Sequence, residues 1–81
     1  MEFDSFNYTP KEVIKIIREW TGLTQEEFGK LVGKKGKSWT RHVEHGDTNF
    51  LYQDLYKICN LYGIQIIFKK VKVTEKDKIT N

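Results

Sequence analysis

Between residues 30 and 41 the chain carries five basic side chains, Lys30, Lys34, Lys35, Lys37 and Arg41, and not one acid. A run of cations without carboxylates can neutralise phosphates and release the counterions condensed on a polyanion. The rest of the chain does not share this bias. Glu2, Asp4, Glu12, Glu19, Glu26, Glu27, Glu44 and Asp47 lie outside the run, and the net charge over 81 residues is only +3. Beside and within the run stand Gln25, Ser38, Trp39, His42 and Asn49, side chains that can address phosphate oxygens or base edges. Arg41 is favoured for a base edge, because a guanidinium makes bidentate contact with guanine.

Other chemistries find little support. Two histidines and a single cysteine have no metal-ligand spacing, so no metal site is expected. Cys59 lies on an apolar stripe with no base nearby and reads as a buried structural thiol, not a nucleophile. No glycine-rich phosphate loop, paired-carboxylate site or nucleophile–base pattern occurs, so neither an enzyme nor a cofactor is expected. A lone cysteine cannot form an internal disulfide and fits a reducing cytosol. The N-terminal MEFDSFNY is acidic and lacks the apolar run of a leader. The apolar stretch at 64–68 is far too short to span a bilayer. The expectation is a cytoplasmic protein with no membrane association.

The elements that must position these groups are punctuated clearly. The chain is 38% hydrophobic and 14% aromatic, enough for one small core and no second one. Residues 1–8 lack a helical period; Phe3, Phe6 and Tyr8 are candidates to tuck against the domain as a short arm or strand. Thr9 caps a first helix with Pro10 at its first position and Glu12 completing a capping box. Val13, Ile14 and Ile17 form its apolar stripe, and Gly22 ends it. Thr24 and Glu27 make a second capping box, opening a helix over about 25–32 with Phe28, Leu31 and Val32 inward and Gly29 where a neighbouring helix must come close. After a turn containing Gly33 and Gly36, a third helix is expected over about 37–44, closing at Gly46. Its buried face is assigned to Trp39 and Val43, with Lys37, Ser38, Arg41 and His42 outward. Trp39 also retains a reading as a stacking group at DNA. His45 reads as a solvated residue near a helix end. A turn at 47–49 leads to a fourth helix at about 51–62, burying Leu55, Ile58, Cys59 and Tyr62 and ending at Gly63. Beyond it, β-branched and alternating residues predict a strand at 65–73, and residues 74–81 read as a frayed polar tail. The lysines 69, 70 and 72 read as a solvated, aggregation-blocking face of that strand, with contact to DNA as the alternative.

Two short helices joined by a glycine-containing turn are what a protein needs to read a major groove: one braces, the other inserts. Here the residues carry a resemblance. Leu23-Thr24-Gln25-Glu26-Glu27-Phe28-Gly29-Lys30-Leu31-Val32-Gly33 resembles the opening of the Cro/repressor (Xre-type) helix-turn-helix family. Val43-Glu44-His45-Gly46 resembles the ending of that family's recognition helix. Residues 55–64 resemble its fourth helix, with Cys59 at a usual alanine. The similarity covers roughly residues 13–64.

The resemblance implies a compact, mainly α, four-helix lambda-repressor-like domain at 9–64 with the predicted strand appended in place of the family's fifth helix. It implies operator binding, usually as a homodimer, by a transcriptional regulator, most often a repressor. Carried over by position, Gln25 matches a glutamine that contacts a phosphate, and Arg18 and Glu44 match a basic and an acidic position that often pair across the core. Residues 33–46 are one longer than the commonest family spacing, which leaves the outward set of the third helix open by one position. The expected DNA contacts are Gln25, Lys34, Lys35 and Lys37 at the backbone, Ser38, Trp39, Arg41 and His42 at base edges, and Asn49 at a further phosphate. Two other readings stand beside this one: an antitoxin of the same fold, which would also bind a toxin, and a protein-interaction module that has lost DNA binding.

Overall fold

The capping boxes predicted from sequence set the start of the first two long elements. The computed structural model describes residues 1–72. Helix α1 runs Pro10–Thr21; at its start the Glu12 carboxylate accepts from the Thr9 backbone N–H at 2.8 Å and from the Thr9 hydroxyl at 3.0 Å. Helix α2 runs Gln25–Lys30. Here Glu27 Oε1 accepts from the Thr24 N–H at 3.0 Å while Thr24 Oγ1 accepts from the Glu27 N–H at 3.1 Å. The three bonds from the Thr9, Thr24 and Glu27 N–H groups satisfy backbone donors that a helix start would otherwise leave unpaired. Helix α3 spans Ser38–His45 and α4 spans Tyr52–Tyr62. Gly22, Gly46 and Gly63 close α1, α3 and α4 in the left-handed conformation, which glycine adopts without a Cβ penalty.

The four helices form a compact, mainly helical body. Helix α3 packs on α2 and on α1, and α1 packs on α4. Ile14, Ile17, Phe28, Val43, Ile58 and Cys59 make the buried cluster. Around it lie partly buried Val13, Trp20, Leu23, Leu31, Val32, Trp39, Phe50 and Leu55. Burial pushes the Cys59 thiol above its ordinary pKa, so it stays an uncharged apolar group. No helix among the described residues is long and apolar enough to cross a membrane.

Several expectations need correction. Helix α2 stops at Lys30 rather than near residue 32, because the chain tightens into i→i−3 bonds: Leu31, Val32 and Gly33 N–H groups donate to the Phe28, Gly29 and Lys30 carbonyls. Tyr62 is 41% exposed; Ile58 and Cys59 already fill the inward face of α4, and Tyr62 falls at its rim. The N-terminal segment forms a single 3-10 turn, Ser5–Asn7, capped by Asp4. Of its aromatics Phe3 docks, edge-on to Tyr8 and Trp20 at 5.4 Å each, while Phe6 is exposed.

Among the described residues no strand forms. Residues 64–72 run without a ladder; a strand needs an edge to pair with. Only Ile64 and Ile66 lean on the core, an alternation consistent with the period-two pattern; Ile67 and Phe68 face outward. Val73 and the tail at 74–81 lie outside the described residues.

Hydrogen bonding from Thr9 and Thr24 holds the Glu12 and Glu27 carboxyls below their ordinary value of 4.5. Their stabilisation is therefore complete above that value and is lost as pH falls through the lowered one. A Glu12→Gln/Glu27→Gln variant keeps an acceptor at each cap but removes the titration. Its melting temperature should fall less steeply than the unaltered chain's between about pH 6 and about pH 3, as followed by circular dichroism; parallel acid limbs would show that the caps do not govern acid stability.

Candidate nucleic-acid interface

The close approach of α2 to α3 sets the face that α3 turns outward. Gly29 is buried, and a Cβ added to it would lie 3.3 Å from Thr40 Oγ1 and 3.5 Å from the Gly36 carbonyl. Thr40 has no exposed surface, and its hydroxyl donates to the Gln25 backbone carbonyl at 2.7 Å. With Thr40 and Val43 inward, the 100° step of a helix puts Ser38, Arg41, His42 and His45 on the opposite side, and all four are exposed. Trp39 and Glu44 fall on the flanks. The register left open by one residue is thereby fixed. It also corrects the buried pair, which is Thr40 and Val43 rather than Trp39 and Val43. An indole is too large for the gap at Gly29, so Trp39 packs partly buried against the edge of the core.

The flank at Glu44 is held by three helices. Arg18 on α1 donates from Nε to Glu44 Oε2 at 2.5 Å and from Nη2 to Glu44 Oε1 at 3.2 Å, while its Nη1 donates to the Leu23 carbonyl at 3.0 Å. The side chains keep only 18% and 7% of their surface exposed. The Glu44 carboxylate raises the Arg18 pKa above its ordinary value. Gln25, at the start of α2, donates from Nε2 to Glu44 Oε1 at 3.2 Å. A carboxylate only accepts, so the nitrogen end of the Gln25 amide must face it. One Gln25 N–H is thus committed inside the protein, and the other, with the carbonyl oxygen, remains for a ligand.

The basic groups surround the start of α3. Lys34, Lys35, Lys37 and Arg41 are exposed and pair with no acid among the described residues. Lys30 differs, lying 3.8 Å from Glu26 one turn back. Helices α1 and α2 begin with capping boxes and α4 has Asp54 in its first turn. Helix α3 has no side-chain cap and no acid in its first turn, and Lys37 sits at its N-cap. Its positive end therefore lies beside cations with no side-chain acceptor, a local field that favours an anion. At the other end, His42 Nδ1 lies 3.3 Å from Asp47 Oδ2, which leaves Nε2 outward and puts one acid beside the face.

Of the nine residues predicted to touch DNA, Lys34, Lys35, Lys37, Ser38, Arg41 and His42 thus come together on or beside one face of α3. Gln25 stands at its flank and Trp39 is withdrawn into the core edge. Asn49 is exposed in the loop after α3 and lines a separate open cleft with Lys11 and His45. Sequence reasoning missed Thr40, whose signal was its i, i+3 spacing to Val43. It also missed the Gln25–Glu44 bond, for which a single sequence carries no sign. No group of three or more histidine, cysteine or acidic side chains is placed to hold a metal among the described residues. Compared with known proteins, the chain matches no family model, no curated protein and no solved structure.

Glu44→Ala would strand a partly buried guanidinium, which costs about 3–5 kcal/mol when fully buried; the exposure that Arg18 retains lowers the expectation to about 2–3 kcal/mol. Denaturant unfolding of Glu44→Ala and of Arg18→Leu/Glu44→Leu checks this, the double variant being expected to recover much of the loss. A Glu44→Ala loss below about 1 kcal/mol would show that the pair does not hold α3.

Proposed function

We propose that the chain is a sequence-specific double-stranded DNA-binding protein, a transcriptional regulator of helix-turn-helix type acting as a homodimer. The observation that carries this reading is the outward face of α3, with Ser38, Arg41 and His42 exposed over a buried Gly29–Thr40 crossing and an acid-free, uncapped start among Lys34, Lys35 and Lys37. Helix α2 would brace across the backbone and α3 would enter the major groove. The lysines and the free N–H of Gln25 would hold phosphates, while Arg41, Ser38 and His42 would face base edges. The order of α2, turn and α3, and the likeness of residues 23–33 and 43–46 to the Cro/repressor pattern, support the same assignment.

One observation favours a second reading. Tyr52 and Tyr56 on α4 lie with ring centroids 6.3 Å apart, and Phe68 lies 6.1 Å from Tyr52. All three are more than half exposed, as are Leu51 and Ile67. Large exposed apolar clusters mark protein contacts. A dimer would cover this surface, and so would a toxin bound by an antitoxin of the same architecture.

Selection of bound duplexes from a random pool, with affinity followed against salt, tests the proposal. The expected outcome is an inverted repeat with half-sites about one helical turn apart and a steep loss of affinity with salt. On the recovered site Arg41→Ala should cost about 1–3 kcal/mol, with little change on unrelated duplexes. Equal loss on every sequence would make Arg41 a phosphate contact, and recovery of no motif would move the protein-binding readings to the front.

A further inference from the structure

Helix α3 ends at an open cleft of about 310 Å³ that joins two parts of the chain far apart in sequence. Thr9, Pro10 and Lys11 line it from the start of α1, and Val43, His45, Gly46, Thr48 and Asn49 from the end of α3 and the loop beyond. No acid is among these residues. Of the acids beside it, Glu12 accepts from Thr9 and lines the neighbouring cleft, and Asp47 lies against His42. The stem of Lys11 lies over Gly46, where an added Cβ would come 3.1 Å from Lys11 Cδ. Glycine at 46 therefore both closes α3 and lets a lysine from α1 reach the far end of the outward face. Lys11 pairs with no acid among the described residues.

His45 follows Ser38 by seven residues and Arg41 by four, so it continues the exposed face of α3 to the mouth of this cleft. Eight helical residues rise about 12 Å, close to the width of a B-DNA major groove. A helix of that length has one basic group at each end. Lys34, Lys35 and Lys37 stand at its start, and Lys11 with His45, Thr48 and Asn49 stands at its close.

We propose that Lys11, His45, Thr48 and Asn49 form a second phosphate clamp, which takes the DNA backbone on the side of the groove opposite the lysine turn. The inference rests on the DNA-binding reading and deepens it. Lys11 supplies the charge, and the Asn49 amide and the Thr48 hydroxyl supply uncharged donors. His45 closes the cleft on the side of the bases. A neighbouring cleft provides the contrast: Lys15, one turn further along α1, shares it with Glu12 and Glu19 and is not expected to meet phosphate.

The test is the slope of log affinity against log salt for a random-sequence duplex, measured by fluorescence anisotropy for the unaltered chain and the variants below. Removing a cation that neutralises one phosphate reduces the slope by about one. Lys11→Gln should lower it by about one, as should Lys35→Gln at the other end of α3. Lys11→Arg should restore it, and Lys15→Gln should leave it unchanged. Asn49→Asp, which places a carboxylate in the cleft without touching Lys11, should weaken binding of every duplex and guards against a folding defect in Lys11→Gln. If Lys35→Gln lowers the slope and Lys11→Gln does not, the clamp is overturned while DNA binding stands. A Lys15→Gln effect equal to that of Lys11→Gln would replace the clamp by diffuse surface charge. No duplex binding by the unaltered chain overturns both.

Discussion

The arrangement of this small protein depends on how closely α3 can approach α2. The contact is made by a residue with no side chain, Gly29, and by a threonine, Thr40, whose hydroxyl bonds to the backbone of Gln25. This single crossing fixes the rotation of α3 about its axis and thus which of its residues face outward. It also fixes the height at which Glu44 meets α1, because Glu44 lies one turn beyond Thr40. A buried cluster of six side chains leaves little margin for error in a chain of this size. The rotation of α3 is therefore held by a directional hydrogen bond and a steric fit, in addition to apolar burial, which is itself non-directional.

Glu44 adds a second constraint of a different kind. Its carboxylate collects donors from α1 and α2 at once, through Arg18 and Gln25. The Nη1 bond from Arg18 to the Leu23 carbonyl draws in the α1–α2 connection as well. Buried ion pairs are weak evidence of net stability, because desolvation offsets much of the attraction. Their strength lies in geometry: acceptor and donors must meet in one arrangement. In this chain that arrangement ties the end of α3 to the two elements on which it rests.

Much of this is legible in the sequence, and the parts that are not share a cause. Caps are local, so Thr9 with Glu12 and Thr24 with Glu27 announce two helix starts within four residues each. The stripe formed by Ile14, Ile17, Phe28, Ile58 and Cys59 is legible because helical period and hydrophobicity agree there. At α3 they diverge. Hydropathy selects Trp39 as the partner of Val43, whereas the space at Gly29 admits only a small side chain, and Thr40 satisfies its one polar atom on the spot. Tyr62 misleads in the same way, being apolar enough for the core and one turn beyond its last buried residues, Ile58 and Cys59. Bonds such as Gln25 to Glu44 and the meeting of Lys11 with Gly46 link residues whose proximity is created by the fold, and no local pattern encodes them. The predicted strand depends on a partner edge, and one chain's alternation does not say where such an edge would be.

Among the described helices, α3 is the one whose start carries basic charge with no acid to offset it. Acids near the starts of α1, α2 and α4 complement the positive end of each helix, while α3 starts with Lys37 and no acid. An eight-residue helix is marginal by itself, and lysines at its positive end make it more so. Its order must come from Thr40, Val43 and Glu44, which are tertiary contacts. A segment that breaks a local rule while the rest of the chain obeys it is where a ligand is expected to supply what is missing. Under the DNA reading the missing group is a phosphate. It would accept from the free N–H groups and neutralise the lysines together, so phosphate binding and the order of α3 would strengthen each other by the same free energy in both directions.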